Sequence, residues 1–154
     1  MNLISIGTIK KDNETFKIQI NPEFIPALKH VEDFSHIQVL WWAHLTEDPE
    51  SRSKLKAGKL FKKGPDDPGT FSTRSPERPN PIMISTIKIL KVVHDTGIIT
   101  TPFIDAEPGT PVIDIKPVYP MERVKNCLGP EWCSHWPQWQ EEVGEFDWSG
   151  EVNF

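Results

Sequence analysis

Proline decides early what this chain cannot become. It carries 15 prolines in 154 residues, and an interior proline removes a helical hydrogen bond and clashes with the preceding turn. A bundle of long helices is excluded on that ground. Pro76, Pro79 and Pro81 fall close together in the stretch FSTRSPERPNPIMIS, Phe71 to Ser85. The residue before each proline is driven out of the α region, so Ser75, Arg78 and Asn80 sit on stiff, extended backbone. Arg74, Arg78 and Asn80 on such a loop make a ligand-gripping device, because the planar fork of Arg matches carboxylates and phosphates. The same composition also suits a rigid surface connection with solvated arginines.

Around that loop the chain reads as short strands. Alternation at Ile4 and Ile6 within Leu3 to Ile9, the polar turn Lys11 to Glu14, and alternation at Phe16, Ile18 and Ile20 predict a hairpin. Asn21 is expected to cap one short helix, Pro22 to Lys29, with Pro22 at its first position. HIQVLWWAH, His36 to His44, predicts a buried strand with Ile37, Val39 and Trp41 on one face and Leu40 and Trp42 on the other. Leu45 to Gly69 is polar and basic, with one helical turn near Ser51 to Ala57, and is the expected mobile loop. Ile82 to Val93 reads as one long strand that pairs with Gly97 to Phe103 across a turn at Asp95 to Gly97. Val112, Ile113 and Ile115 form a further strand. The prediction is a mainly β fold: a small antiparallel β-barrel with short C-terminal helical segments. In the tail, Trp132, Trp136, Trp139 and Val143 recur at helical spacing, with Pro137 breaking or kinking that helix. These tryptophans are expected to cover the barrel.

Length and charge narrow the class. The chain is expected to be one domain over 1–154. A hydrophobic fraction of 37% and a charged fraction of 25% suit a folded soluble protein. No apolar run approaches the ~20 residues of a membrane helix, and no signal peptide precedes the first strand, so no membrane partner is expected and the expected location is the cytoplasm. Cys127 and Cys133 make no disulfide framework, and with His135 they fit no common zinc pattern. No metal is expected. A net charge of −5 argues against nonspecific nucleic-acid binding by the whole surface. Charge is uneven, however. Arg52, Lys54, Lys56, Lys59, Lys62 and Lys63 crowd the middle, while Glu131, Glu141, Glu142, Glu145, Asp147 and Glu151 fill the tail. This is either a polyanion site beside a repelling flank or two solvated faces.

TRSPERPNPI (Thr73 to Ile82), GTPVIDIKP (Gly109 to Pro117) and EDFSHI (Glu32 to Ile37) before WWAH occur in the order of the motifs of the TsaA-like domain family. The chain resembles that family over about 32–120, with ISIGTIK fitting before it and a Trp-rich tail over 121–154 outside it. The resemblance implies a small β-barrel that binds S-adenosylmethionine. The best-understood members methylate N6 of a threonylcarbamoyl-adenosine beside the tRNA anticodon, so tRNA is the implied partner. Position by position, it implies cofactor contacts at His44 and Leu45, at Arg74, at Thr86, and along Asp105, Ala106, Glu107 and Pro108. The family also tends to pair, and six tryptophans exceed what a small barrel hides alone, so a homodimer is expected.

Three departures from the pattern stand out. Met83 replaces the glycine usual after RPNPI, Pro108 replaces the aspartate usual before Gly-Thr-Pro, and the loop after the first strand shrinks to Lys10 to Glu14. Methylating an aromatic amine calls for a nearby acceptor, and Asn80, Asp105 and Asp114 are the candidates. An RNA substrate would be delivered by Arg52, Lys54, Lys56, Lys62, Lys63 and Arg78. The expected activity is therefore a tRNA (adenine-N6)-methyltransferase. The alternatives are a noncatalytic module that binds S-adenosylmethionine or a nucleotide, and a small-molecule methyltransferase.

Overall fold

The structure is a computed structural model that describes residues 2–154. Its centre is one antiparallel sheet of seven strands: β1 (Gly7–Lys11), β2 (Phe16–Ile20), β3 (His36–Trp42), β4 (Ile82–Lys88), β5 (Lys91–Val93), β6 (Ile98–Thr101) and β7 (Pro111–Pro117). Their order across the sheet is β4-β3-β7-β1-β2-β6-β5.

Period-2 alternation positions the core. Ile37, Val39 and Trp41 of β3 are buried, as are Ile9, Ile18, Ile20, Ile87, Ile99 and Val112 from the neighbouring strands. Each fully buried isoleucine contributes about 1.5–3 kcal/mol. Leu28, at the end of a 3-10 stretch Pro22–Leu28, closes the core at one end. The expected short helix takes this tighter form, with Pro26 inside it. Asn21 does not cap it with its side chain; Asn21 Nδ2 donates instead to Ser5 O at 3.0 Å. The hairpin β1–β2 forms as expected, but it begins at Gly7, and Ile4 is 66% exposed. Gly97 adopts the left-handed φ of 64° and closes the turn between β5 and β6.

The run expected as one long strand is broken at Ile89–Leu90. Ile89 N donates to Ser35 O before β3, and Leu90 N donates to Thr100 O in β6. The two halves thus join opposite margins of the sheet, β4 beside β3 and β5 beside β6. β4 and β5 form no ladder with each other. The expectation of a barrel is corrected to this extent: the fold is a mainly β, antiparallel sheet that hydrogen bonds do not close into a barrel. Covalent chain spans the gap, and Lys88 to Lys91 reach at most about 11 Å.

The segment expected as a mobile loop is laced down. α1 (Pro49–Ser53) is capped by Asp48, whose carboxylate accepts from Glu50 N and Ser51 N. Lys56 bridges Gly69, and Thr70 N donates to Leu55 O at 3.0 Å. Phe61 bridges Val152, Lys62 N donates to Glu151 O at 2.8 Å, and Asn153 N donates to Leu60 O at 3.0 Å. The C-terminal residues therefore strap the basic segment.

The tail also departs from the expected helix face. Pro137 interrupts it, and only short 3-10 turns remain, at Glu131–Cys133, Gln140–Glu142 and Trp148–Gly150. Trp136 packs on Phe61 (centroids 4.8 Å apart) and on Trp148 (5.2 Å), and Trp132 stacks on Phe61 at 5.4 Å. Trp139 is left 66% exposed. The cluster is a second small core beside the basic segment. Several tryptophans that suggested a homodimer are thus accommodated within one chain. No helix among the described residues is long and apolar enough to cross a membrane. No group of three His, Cys, Asp or Glu residues among them is placed to hold a metal ion.

Candidate functional site

Three loops meet at the end of β3. Ala43 N donates to Pro81 O at 2.8 Å, and the chain then turns through His44–Thr46. Thr46 Oγ1 donates to Pro76 O at 3.1 Å, tying this turn to the proline loop. His44 Nδ1 lies 3.4 Å from Oγ1 of buried Thr110, and Thr110 N donates to Glu107 O at 3.2 Å. His44 and Leu45, the loop of Arg74, and the turn Asp105–Pro108 are therefore neighbours. Leu45 is 70% exposed, and Asp105, Glu107 and Pro108 are exposed, with Ala106 half-buried behind them.

The two loop arginines divide the work. Arg78 Nε donates to Ser75 O at 2.7 Å, and Nη2 donates to Thr73 O at 2.6 Å and to Thr70 O at 3.3 Å. Arg78 was expected to contact substrate; its guanidinium is instead the buckle of its own loop, engaged with the carbonyls of Ser75 and Thr73 and, more weakly, Thr70. Arg74 is exposed and has no hydrogen-bond or ion-pair partner among the described residues.

Other expected site residues lie apart. Thr86 pairs with Gln38, four rungs along β4 from the Trp42–Ile82 pair that borders the loops. Its carbonyl accepts from Gln140 Nε2 of the tail. Asp114 pairs with Leu40 in mid-sheet. Its Oδ1 accepts from Ile115 N at 2.9 Å and its Oδ2 lies 2.8 Å from Lys116 Nζ, so it is a poor candidate acceptor. Asp105 and Asn80 remain at the loop end, their side chains without hydrogen-bond partners among the described residues.

The basic segment is close to charge balance in place. Lys54 meets Glu77 at 2.7 Å, Lys56 meets Asp67 at 2.5 Å, Lys59 meets Asp66 at 2.7 Å, and Lys63 lies 3.7 Å from Glu151. Hydrogen bonds to Glu77 and Asp67 raise the pKa values of Lys54 and Lys56, and the bond from Lys59 lowers that of Asp66. Lys62 Nζ donates to Ser149 O. An unopposed polyanion patch is not what the segment presents. Exposed pairs of this kind are each worth only about 0–1 kcal/mol.

A cleft of about 520 Å³ opens beside the three loops, with Trp42, Arg52, Asn80, Ile82, Pro111 and Ile113 in its wall. Trp42 Nε1 donates to Glu47 Oε2 at 2.8 Å, the Arg52 guanidinium carbon lies 5.7 Å from the Trp42 ring centroid, and Arg52 Nε donates to Pro79 O at 2.9 Å. His44, Arg74 and Asp105 do not line it. Sequence reasoning placed Trp42 only beside Leu40 on the second face of a buried strand. Its link to Arg52 depends on a ten-residue excursion through α1 that no local periodicity reports.

The loop end offers what an amino-acid nucleoside cofactor needs. Arg74 is a guanidinium for a carboxylate, Asp105 and Glu107 are carboxylates without side-chain partners among the described residues, for an ammonium or ribose hydroxyls, and Leu45 is exposed apolar surface for a base. The residues fit S-adenosylmethionine.

Comparison with known proteins gives a consistent result. A model of the tRNA-methyltransferase O N-terminal domain matches residues 6–122. A probable S-adenosyl-L-methionine-binding protein of Methanothermobacter thermautotrophicus is 41% identical over 107 residues, 70% of this chain and 72% of that protein. A tRNA (adenine(37)-N6)-methyltransferase of Escherichia coli K12 is 34% identical over 116 residues, 74% of this chain and 48% of that enzyme. A crystal structure of TrmO from Pseudomonas aeruginosa superposes with a TM-score of 0.65 at 24% identity, covering 85% of this chain and 61% of the other. That likeness shows the fold. The chain thus spans about half the length of the E. coli enzyme and three-fifths of the superposed TrmO chain.

Proposed function

Since this chain belongs to the family of the tRNA-methyltransferase O N-terminal domain, we propose that it is an S-adenosylmethionine-dependent methyltransferase whose acceptor is N6 of an adenosine beside a tRNA anticodon. The observation that carries the reading is the convergence of His44, the Arg74 loop and the Asp105–Pro108 turn, held by the Thr46–Pro76 and His44–Thr110 contacts.

When bound, the cofactor supplies a methyl group on a sulfonium. Arg74 would hold its carboxylate, since a guanidinium offers only donors and so orients the cofactor. Glu107 would take the ammonium or ribose hydroxyls, and Leu45 would cover the base. In-line methyl transfer needs positioning and exclusion of water more than covalent help. With Glu107 on the cofactor's ammonium or ribose hydroxyls, Asp105 is left at the loop end as the proton acceptor. Asn80 orients the amine, since an amide oxygen accepts a hydrogen bond but not a proton at neutral pH. The proposal includes pairing of two copies. Phe71 (82% exposed) and Leu55 (69%), whose neighbourhoods are tied by the Thr70 N–Leu55 O bond, supply apolar surface for that contact.

Calorimetric titration with S-adenosylmethionine tests the site. Arg74→Ala removes one charge-assisted contact of about 1.5–3 kcal/mol, so affinity should fall at least about tenfold. Unchanged affinity refutes the assignment. Transfer of labelled methyl to bulk tRNA tests the activity. The Pro108 departure favours the noncatalytic reading, and saturable cofactor binding with no transfer to tRNA or to small acceptors would establish it.

A further inference from the structure

Trp42 and Arg52 are not among the cofactor contacts that the family resemblance implies, yet with Asn80 they form a built wall beside them. The Trp42 indole is fixed by its 2.8 Å bond to Glu47. Arg52 is held over that ring, and its Nε is tied to Pro79 O at 2.9 Å. Asn80 is exposed, and its side chain has no hydrogen-bond partner among the described residues. Ile82, Pro111 and Ile113 add apolar wall. At about 520 Å³ the cleft is sized for a small planar ligand, within the ~300–1,000 Å³ of ordinary ligand sites. Its lining residues adjoin those loops along the chain: Trp42 is two residues before His44, Asn80 follows Arg78 by two, and Pro111 follows Thr110.

We propose that this cleft takes the flat base of the acceptor nucleotide, stacked on the Arg52 guanidinium with Trp42 behind it and read along its edge by Asn80. Bases stack on indole and guanidinium planes with little regard to sequence. An Asn amide, one donor side and one acceptor side, matches the N6/N7 edge of adenine. Only the choice of adenine rests on the methyltransferase reading; the stacking wall does not.

The test is an NMR titration of ¹⁵N-indole-labelled protein, with the Trp42 Nε1 signal assigned by Trp42→Phe. Adenosine 5′-monophosphate is the probe and ribose 5-phosphate the control. The Trp42 signal should move with the nucleotide and not with the sugar phosphate. Arg52→Ala and Asn80→Ala should each weaken the response at least about fivefold. Arg52→Lys, which keeps the charge and loses the plane, should weaken it as well. No movement at Trp42, an equal response to ribose 5-phosphate, or full affinity in Arg52→Lys overturns the proposal. Asn80→Ala changes an exposed side chain and carries the test if an Arg52 variant does not fold. Calorimetry with S-adenosylmethionine on the same protein separates the two readings. A nucleotide response without cofactor binding keeps the cleft and refutes the proposed function. Cofactor binding with a silent Trp42 refutes the cleft alone.

Discussion

Replacing Arg78 separates a loop clamp from a ligand contact. Its guanidinium reaches the carbonyls of Ser75 at 2.7 Å, Thr73 at 2.6 Å and Thr70 at 3.3 Å. A charged hydrogen bond contributes about 1.5–3 kcal/mol. The 3.3 Å contact is weak, and water reaches a half-buried loop, so Arg78→Ala should cost about 2 kcal/mol, one good bond's worth. For a chain of this size each kcal/mol moves Tm by about 2–4 °C, so calorimetry should show a drop of roughly 4–8 °C. The freed loop also carries Arg74, so affinity for S-adenosylmethionine should fall about tenfold although Arg78 does not touch it. Arg78→Lys offers a point charge without the fork and should recover less than half of either loss. The reasoning fails if Tm in Arg78→Ala stays within about 1 °C of wild type, or if Arg78→Lys restores both stability and affinity. Charge alone would then be the role of Arg78, as in contact with an anionic substrate.

Three further outcomes follow from the packing and the ion pairs. Gly7→Ala places a Cβ 2.4 Å from Gln19 O, a backbone atom in the paired strand, so strands β1 and β2 must part and urea unfolding should show a loss of about 1–3 kcal/mol; wild-type stability would mean that the hairpin has slack. Glu151 is buried, and its carboxyl, held below its ordinary value of 4.5 first by the His135 hydrogen bond and then by Trp136, stabilises the tail at pH above that value and loses this as pH falls through the lower folded value. Tryptophan fluorescence should report release of the Trp136 cluster in that acid window with the far-ultraviolet β signal intact, and Glu151→Gln should abolish the step; an identical step in the variant refutes the assignment. Replacing Lys54, Lys56, Lys62 and Lys63 together by Ala should lower thermal stability more than it changes tRNA retention, because each holds a carboxylate or a carbonyl; a fall in salt slope near the ~3.6 of four phosphate contacts would overturn the balanced-charge account.

What the sequence made legible is local. Alternation placed Ile37, Val39 and Trp41 in the core because a strand's period is carried by neighbours two residues apart. The hairpin turn and the stiff proline loop were readable for the same reason. The break at Ile89–Leu90 was not, since Ile82 to Val93 stays apolar and β-rich throughout, and only distant partners, Ser35 and Thr100, divide it. The roles of Arg74 and Arg78 are likewise not distinguishable from composition. Four residues apart in one loop, one is free and the other fastened, according to which carbonyls the fold turns inward. Six basic residues in sequence looked like a field; four of them meet carboxylates, from Glu77 and Glu151 as well as from the near turn at Asp66 and Asp67, and Arg52 and Lys62 meet carbonyls. Thr86 matched a motif position, but motif spacing does not report strand register, and register sets it beside Gln38.

The crossing at Ile89–Leu90 has a mechanical meaning. In an open sheet each margin frays by itself, since an outer strand is held on one side alone. Here the two margins are successive halves of one run, pinned within about 11 Å. Peeling β4 from β3 drags on β5, and loosening β5 from β6 slackens β4. The outermost strands, ordinarily the weakest parts of a sheet, are therefore tethered to each other at one end, so neither swings free there without the other.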